Sequence, residues 1–531
     1  GKTLRRLAGD DSTVNEEWNC DKGRWAFKYV TSVDRLTTPM VRNSAGELVA
    51  ASWPEALAAA AKGLKAAKAA VLVGGRATYE DAYGYSKFAR VALETNDIDF
   101  RSRLASNEER EFLAARVVGS TTTYLDIDRA DHVLLVGFEP EEESPIVFLR
   151  INKQVRKRAL KVTAIATKLS IGVEKLKGEF VKVAPGAEAA AIATQSLSAK
   201  SVILVGERGA ESAGVLSAVA ALADSTGAKI AWIPRRAGER GALEAGAIGN
   251  LLPGGRPVTD ASARVDIAAV WGTDSLPSAE GKSVQEIYAA VYAGEIGALV
   301  VGGVDPLDGE NSQAALAALE KAFVVSLEIA SSAVTQRADV VLPVAAITEK
   351  SGSFLNWEGR PRSFDAAVQD SLNRSDLRIL SMIAEEMGAS INLGTVTAAI
   401  KEIASLGKWE GARISMSKVS VPAQPTVAGD RFILTSWRRL LDLGTLQQGE
   451  ENLAGTARKT VAVISPKRAS ALGVVDGDKL KISTSFGSVT LNALVEDIHD
   501  DALWAPRNSR GSQLLVNLGV AHGAVVSVVK V

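Results

Sequence analysis

The chain holds a single cysteine, Cys20, in the stretch VNEEWNCDKGRWAFKYV from Val14 to Val30. A thiol next to the turn Lys22-Gly23-Arg24 is placed for chemistry, because the thiolate is the form that binds metals and attacks electrophiles. Zinc is not served, since His132, His499 and His522 are remote from Cys20 and follow no ligand spacing. An iron–sulfur cluster is held by about four thiolates. One cysteine cannot meet that need unless the other three lie upstream of Gly1. The plainer account is a small packed hydrophobe.

Two further stretches carry polar groups in promising places. In RADVVLPVAAITEKSGSFLNWEGRPRSF, Arg337 to Phe364, an apolar strand is expected to empty into a long loop with glycines at 352 and 359. Glu349, Asn356, Glu358 and Arg360 then stand at the carboxyl end of a parallel sheet, where open α/β sheets bind ligands. The competing account is a loop that locks two domains together. Four apolar strands end in Val-Gly, near Val73, Val136, Val205 and Val301. None continues as G-x-G-x-x-G into a helix, so nicotinamide binding by this chain is not expected. Walker-type loops are absent as well.

These residues need elements to position them. The Val-Gly strands, together with LKVTAIAT, AKIAWIP, AFVVSLE and ADVVLPV, alternate with amphipathic stretches. Continuous apolar strands of this kind belong to parallel sheets covered on both faces. Spread over about 300 residues, they predict two doubly wound units. Ser52 is expected to cap a helix opening at Trp53-Pro54-Glu55, with Pro54 at the tolerated first position. From Asp430 onward short strands broken by turns predict a β-barrel, with SFGS as a hairpin and VVDGDK as a tight turn. SKVSVPAQPTVAGD makes the boundary.

With 47% apolar and 23% charged residues the chain is a globular one of two to four domains. Its 61 basic and 62 acidic residues give no global field to steer nucleic acid. One cysteine allows no internal disulfide and suits a reducing compartment. No apolar run approaches a membrane span. GKTLRRLAGDDS lacks a signal core and an initiator methionine, and is read as the cut or processed edge of a longer polypeptide. The basic run Arg156-Lys157-Arg158 and the acidic run Glu139 to Glu143 are weighed as subunit contacts against solvated faces.

Several of these motifs resemble a known superfamily, the molybdopterin oxidoreductases. VNxxWxCDKGRW is similar to the stretch bearing the last cluster cysteine, and ADVVLP…E…GSF.N.EGR is similar to a signature of active and inactive members alike. SPKRASALGVVDGDKLKISTSFGSVTL resembles the dinucleotide-binding barrel, with Arg468 in place of the usual leading aspartate. The resemblance implies a multi-domain α/β fold with doubly wound parallel sheets and a carboxyl-terminal, double-psi-like β-barrel. The implied division is 1–40 (end of an iron–sulfur segment), 41–420 (α/β domains) and 430–531 (barrel). It makes Cys20 one ligand of a 4Fe-4S cluster, with Lys22 and Arg24 nearby. A catalytic member needs a donor to molybdenum, and the matching region NDIDFRSRLASNEEREFLAARVVG has no cysteine. Ser102 and Ser106 are the remaining oxygen donors. Ser106 with Glu109 instead fits a capping box, so no molybdopterin is expected.

DHVLLVGFEPEEESPIVFLRINKQVRK, FRSRLASNEEREFLAARV and TEKSGSFLNWEGR narrow the resemblance to the family of G subunits of bacterial NADH-quinone oxidoreductase, respiratory complex I. That implies a peripheral-arm scaffold on the cytoplasmic side of the membrane, partnered by other subunits of the complex. Those subunits bind NADH, FMN and quinone and couple electron transport to proton translocation. The cluster at Cys20 would lie off the main electron route. Two alternatives stand beside it: a catalytically active, formate dehydrogenase-type molybdopterin oxidoreductase, and a purely structural interaction module.

Overall fold

The computed structural model describes residues 13–309, 312–369 and 371–531. The stretch GKTLRRLAGDDS and the reading attached to it lie outside the described residues.

In chain order, β1 (Met40–Arg42) and β2 (Leu48–Ala50) precede β3 (Ala69–Val73) and β4 (Ile98–Asp99). Then come β5 (His132–Val136), β6 (Lys161–Ala166), β7 (Glu179–Lys182), β8 (Val202–Gly206) and β9 (Lys229–Ile233). β10 (Leu251–Leu252) and β11 (Arg256–Pro257) form a short clip, and β12 (Ala298–Gly302), β13 (Phe323–Glu328) and β14 (Val340–Pro343) follow. The first sheet has the order β2-β1-β14-β13-β12-β3-β4 and the second β7-β6-β5-β8-β9. The second is wholly parallel, and the first is parallel except for β1 and β2. Both are doubly wound, as expected.

Alternation along the buried strands builds the core. Val71 and Val73 of β3 join Leu134 and Val136 of β5 in one large apolar cluster between the sheets. Ala70 and Leu72 pack on the opposite face of the first sheet, and Val133 and Leu135 on that of the second. Every second residue thus faces a different layer.

The Val-Gly endings have a steric cause. β3 and β12 are neighbours in one sheet and β5 and β8 in the other, and strand order reverses at each pair. A Cβ on Gly74 would stand 1.9 Å from the Gly303 carbonyl oxygen, and one on Gly206 would stand 2.4 Å from that of Gly137. Backbone meets backbone at both reversal points, which only glycine permits. These are the positions where open α/β sheets leave a crevice.

Two details differ from the sequence reading. Pro54 is the second helical residue of Trp53–Lys65, because Trp53 is already helical after the Ser52–Glu55 capping box. The stretch after β14 is a hairpin, β15 (Gly352–Leu355) with β16 (Pro361–Phe364), and not an open loop. Phe354 stacks on Phe364, and the Asn356 side chain accepts from Glu358 N and Arg360 N to close the turn.

β17 (Arg431–Thr435), β18 (Val461–Ile464), β19 (Lys479–Ser483), β20 (Ser488–Val495), β21 (Ala502–Trp504) and, after a short β22 (Asn508–Ser509) and β23 (Ser512–Gln513) pair, β24 (Val525–Lys530) close the carboxyl-terminal barrel. SFGS joins β19 to β20 as an antiparallel hairpin. The barrel has its own apolar core around Phe432, Leu480 and Val528. Among the described residues no helix is long and apolar enough to cross a membrane.

Candidate functional site

Cys20 caps the short helix Asp21–Trp25, its sulfur accepting from Gly23 N at 3.2 Å. Gly23 leaves room beside that sulfur, since a Cβ there would already lie 3.4 Å from it. The cysteine is only half-buried, between Trp18 at 62% and Trp25 at 43% exposure. Arg24 turns outward to Asn19. Lys22 turns inward, donating to Leu440 O at 2.7 Å and Asp442 Oδ1 at 2.8 Å. No group of three or more histidine, cysteine or carboxylate side chains is gathered for a metal among the described residues. His132 lies in β5 beside Thr163.

Asp442 opens a second region, the crevice where the strand ends of both sheets meet the barrel. Arg438 and Asp442 follow β17, with 3.0 Å between them. Arg438 also engages Asp308, beyond β12. Asp308 is 3.2 Å from Arg236, which follows β9. Arg236 reaches Glu207 at 3.0 Å and Glu239 at 3.3 Å. Arg103, beyond β4, reaches the same two carboxylates at 3.4 and 3.0 Å, and Glu109 at 2.8 Å. Arg101 links Glu109 to Asp99, while Arg235 and Lys22 both face Asp442. In this network, six cations thus meet six carboxylates among the described residues.

Burial would raise the Glu207 carboxyl, yet Arg236 and Arg103 hold it at about 2. Burial acts likewise on Asp442, and Lys22, Arg235 and Arg438 hold it well below the carboxylate range. Buried charges survive this way only when paired. The network sits where three sheets end, which is why it escaped sequence reasoning: its members come from segments as far apart as Lys22 and Asp442. The available signal was a charge soon after each apolar strand, as in VILVGE and AWIPRR.

The residues singled out from sequence are placed as follows. Ser106 Oγ accepts from Glu109 N, but the Glu109 carboxylate goes to Arg103 and Arg101, so the capping box is half-formed. Ser102 Oγ faces Val73 O at 3.5 Å. Cavities of about 430 and 470 Å³ flank this segment, one lined by Ser102, Arg103 and Asp305, the other by Ser106, Glu211 and His522. Glu358 accepts from Tyr124 N, and Trp357 meets Tyr124 edge-on at 4.8 Å, so the hairpin clamps one sheet to the other. Glu349 is paired with Arg35. Arg468 ties down Gly429 O and Arg431 O and covers Phe432.

The acidic run is not a free face. Glu139 is buried and accepts from Ser170 and Glu142 N, with burial raising its carboxyl to about 7. Glu142 pairs with Arg458 of the barrel domain and Glu143 with Arg208. Arg156 and Lys157 are exposed, while Arg158 donates to Ala130 O.

Comparison with known proteins agrees with this architecture. Residues 35–386 match the family model described as Molybdopterin oxidoreductase, and residues 432–528 that described as Molydopterin dinucleotide binding domain. The G subunit of NADH-quinone oxidoreductase from Mycobacterium tuberculosis is 50% identical over 99% of this chain and 68% of its own length. The Streptomyces coelicolor protein of that name is 47% identical over 99% and 67%. Among solved structures, acetylene hydratase from Pelobacter acetylenicus superposes with a TM-score of 0.56 at 13% identity, covering 90% of this chain and 86% of that one, a likeness of fold alone.

The matched descriptions imply a molybdopterin dinucleotide, whose phosphates need unengaged cations and whose metal needs a donor. Among the described residues the crevice offers neither. It has no thiol, its two serines are engaged elsewhere, and its cations are shared among carboxylates. The fully buried network atom without a hydrogen-bond partner among the described residues is Glu239 Oε2, an acceptor that would repel a phosphate. The residues present do not fit that group. Fold, barrel and near-full-length likeness together place this chain in the G-subunit family of NADH-quinone oxidoreductase, as an oxidoreductase-complex subunit built on the molybdopterin oxidoreductase fold.

Proposed function

We propose that this chain is a scaffold of the peripheral arm of NADH-quinone oxidoreductase, contributing Cys20 as one ligand of a 4Fe-4S cluster off the main electron route. Electrons pass from NADH through FMN and iron–sulfur centres held by other parts of the complex to quinone, coupled to proton translocation. The chain joins the cytoplasmic side of the membrane through those partners. It has no working molybdenum site.

Likeness to the G subunits along almost the whole chain carries this reading. The half-exposed sulfur, with a backbone N–H aimed at it and no side chain at Gly23 beside it, agrees with a thiolate ligand. The test is Cys20→Ala in the full-length subunit assembled in its complex. Loss of one 4Fe-4S paramagnetic resonance signal, with a matching fall in iron, is the expected outcome. Iron content and spectrum equal to wild type would make Cys20 a packed residue and defeat the reading. Stoichiometric molybdenum in the purified complex would instead favour the formate dehydrogenase-type alternative.

A further inference from the structure

We infer that Glu16 is a positioning residue for the Cys20 sulfur, tethering the cysteine's segment to a helix of the second sheet while Lys22 tethers it beside the barrel. The inference rests on the reading of Cys20 as a cluster ligand, and concerns what aims that ligand.

The helix Asp21–Trp25, which Cys20 caps, buries none of its own side chains. So short a helix is not stable alone and takes its place from the contacts around it. Two residues after the sulfur, Lys22 is held by Leu440 O and Asp442, both beyond β17. Four residues before it, Glu16 Oε1 accepts from Arg150 Nη1 at 2.7 Å and from Lys153 Nζ at 2.5 Å. Both cations belong to the helix Pro145–Arg158, which follows β5. Arg150 is a fixed post: its side chain is 5% exposed, it meets Asp128 at 3.2 Å, and it lies 5.4 Å from the Tyr124 ring centre. Val14 packs against the apolar cluster of the same layer.

The backbone between the tethers is specified as closely. Glu16 and Glu17 both stand in the left-handed region, with φ of 49° and 72°. Residues that carry a Cβ hold that conformation only where their surroundings impose it. Trp18 N donates to Asn15 O and Asn15 Nδ2 to Trp18 O, closing the turn. Only Asn19 separates that turn from Cys20, and Arg24 grips the Asn19 side chain. Freeing Glu16 releases the turn, and the relaxed turn re-aims the sulfur.

The experiment is paramagnetic resonance of the full-length subunit in its assembled complex, following the 4Fe-4S signal that Cys20→Ala removes, with iron loss to a chelator measured alongside. Glu16→Ala should keep that signal but shift its g values, broaden its line and speed the loss of iron. Glu16→Asp keeps the carboxylate and tolerates the left-handed backbone, so it should restore the wild-type spectrum. A Glu16→Ala spectrum equal to wild type overturns the inference, even with a lowered Tm, because the tether would then be structural only. Equal changes in the Ala and Asp variants overturn it as well. Where Glu16→Ala blocks assembly or loses the cluster outright, Lys153→Met carries the test, since it removes one arm and leaves Arg150 in place. Its signal should shift the same way, and an unmoved one overturns the proposal. Cys20→Ala with no signal lost would defeat the underlying reading, whereas a signal lost there but unmoved in Glu16→Ala defeats only this inference.

Discussion

The strand-end crevice and the Cys20 corner are joined by one side chain, Lys22, yet they are finished in opposite ways. The crevice is closed on itself: apart from Glu239 Oε2 its buried cations and carboxylates answer one another, and the side chains of Glu239, Asp99 and Arg101 are fully buried. The corner is incomplete, with a lone sulfur and two outward tryptophans. Polar groups that satisfy one another are structure, whereas groups left open await something from outside. By that measure the region resembling a catalytic pocket is the structural one. The plain helix start is where chemistry is to be sought.

The largest effect that sharpens this contrast should come from Arg438→Met. It strips a buried partner from both Asp308 and Asp442, and breaking a buried pair from one side typically costs about 3–5 kcal/mol. Denaturant unfolding of the full-length subunit checks it, and a loss near zero would mean that the network is not holding the barrel to the sheets. Ser106→Ala, at the crevice edge, should cost about 1 kcal/mol through the lost cap, with metal content unchanged by elemental analysis. A drop in bound metal would make Ser106 a donor again. The smallest effect is expected at the open corner: Trp18→Ala should change unfolding free energy by no more than about 0.5 kcal/mol, as for exposed sites generally. A large loss there would show that the corner is packed after all.

How much of this was legible in the sequence depended on whether the information was local. Continuous apolar runs such as HVLLV and VILVG announce parallel strands because burial on both faces leaves no room for polar residues. The repeated Val-Gly ending was visible, but its cause was not, since Gly74 and Gly303 become neighbours only when β3 and β12 pair. Glycines 352 and 359 suggested a loop; only Gly359 sits at a turn, with φ of 78°, while Gly352 lies in a strand against Thr78. Candidate donors were recognised by residue type. What they bond to was not, because Glu207 acquires meaning only from Arg103 and Arg236, delivered by other strands.

Lys22 and Asp442 lie 420 positions apart in the chain. The partner of the ammonium beside Cys20 is therefore supplied only by the segment that follows the first barrel strand. A defect in the barrel would then surface as a fault hundreds of residues upstream.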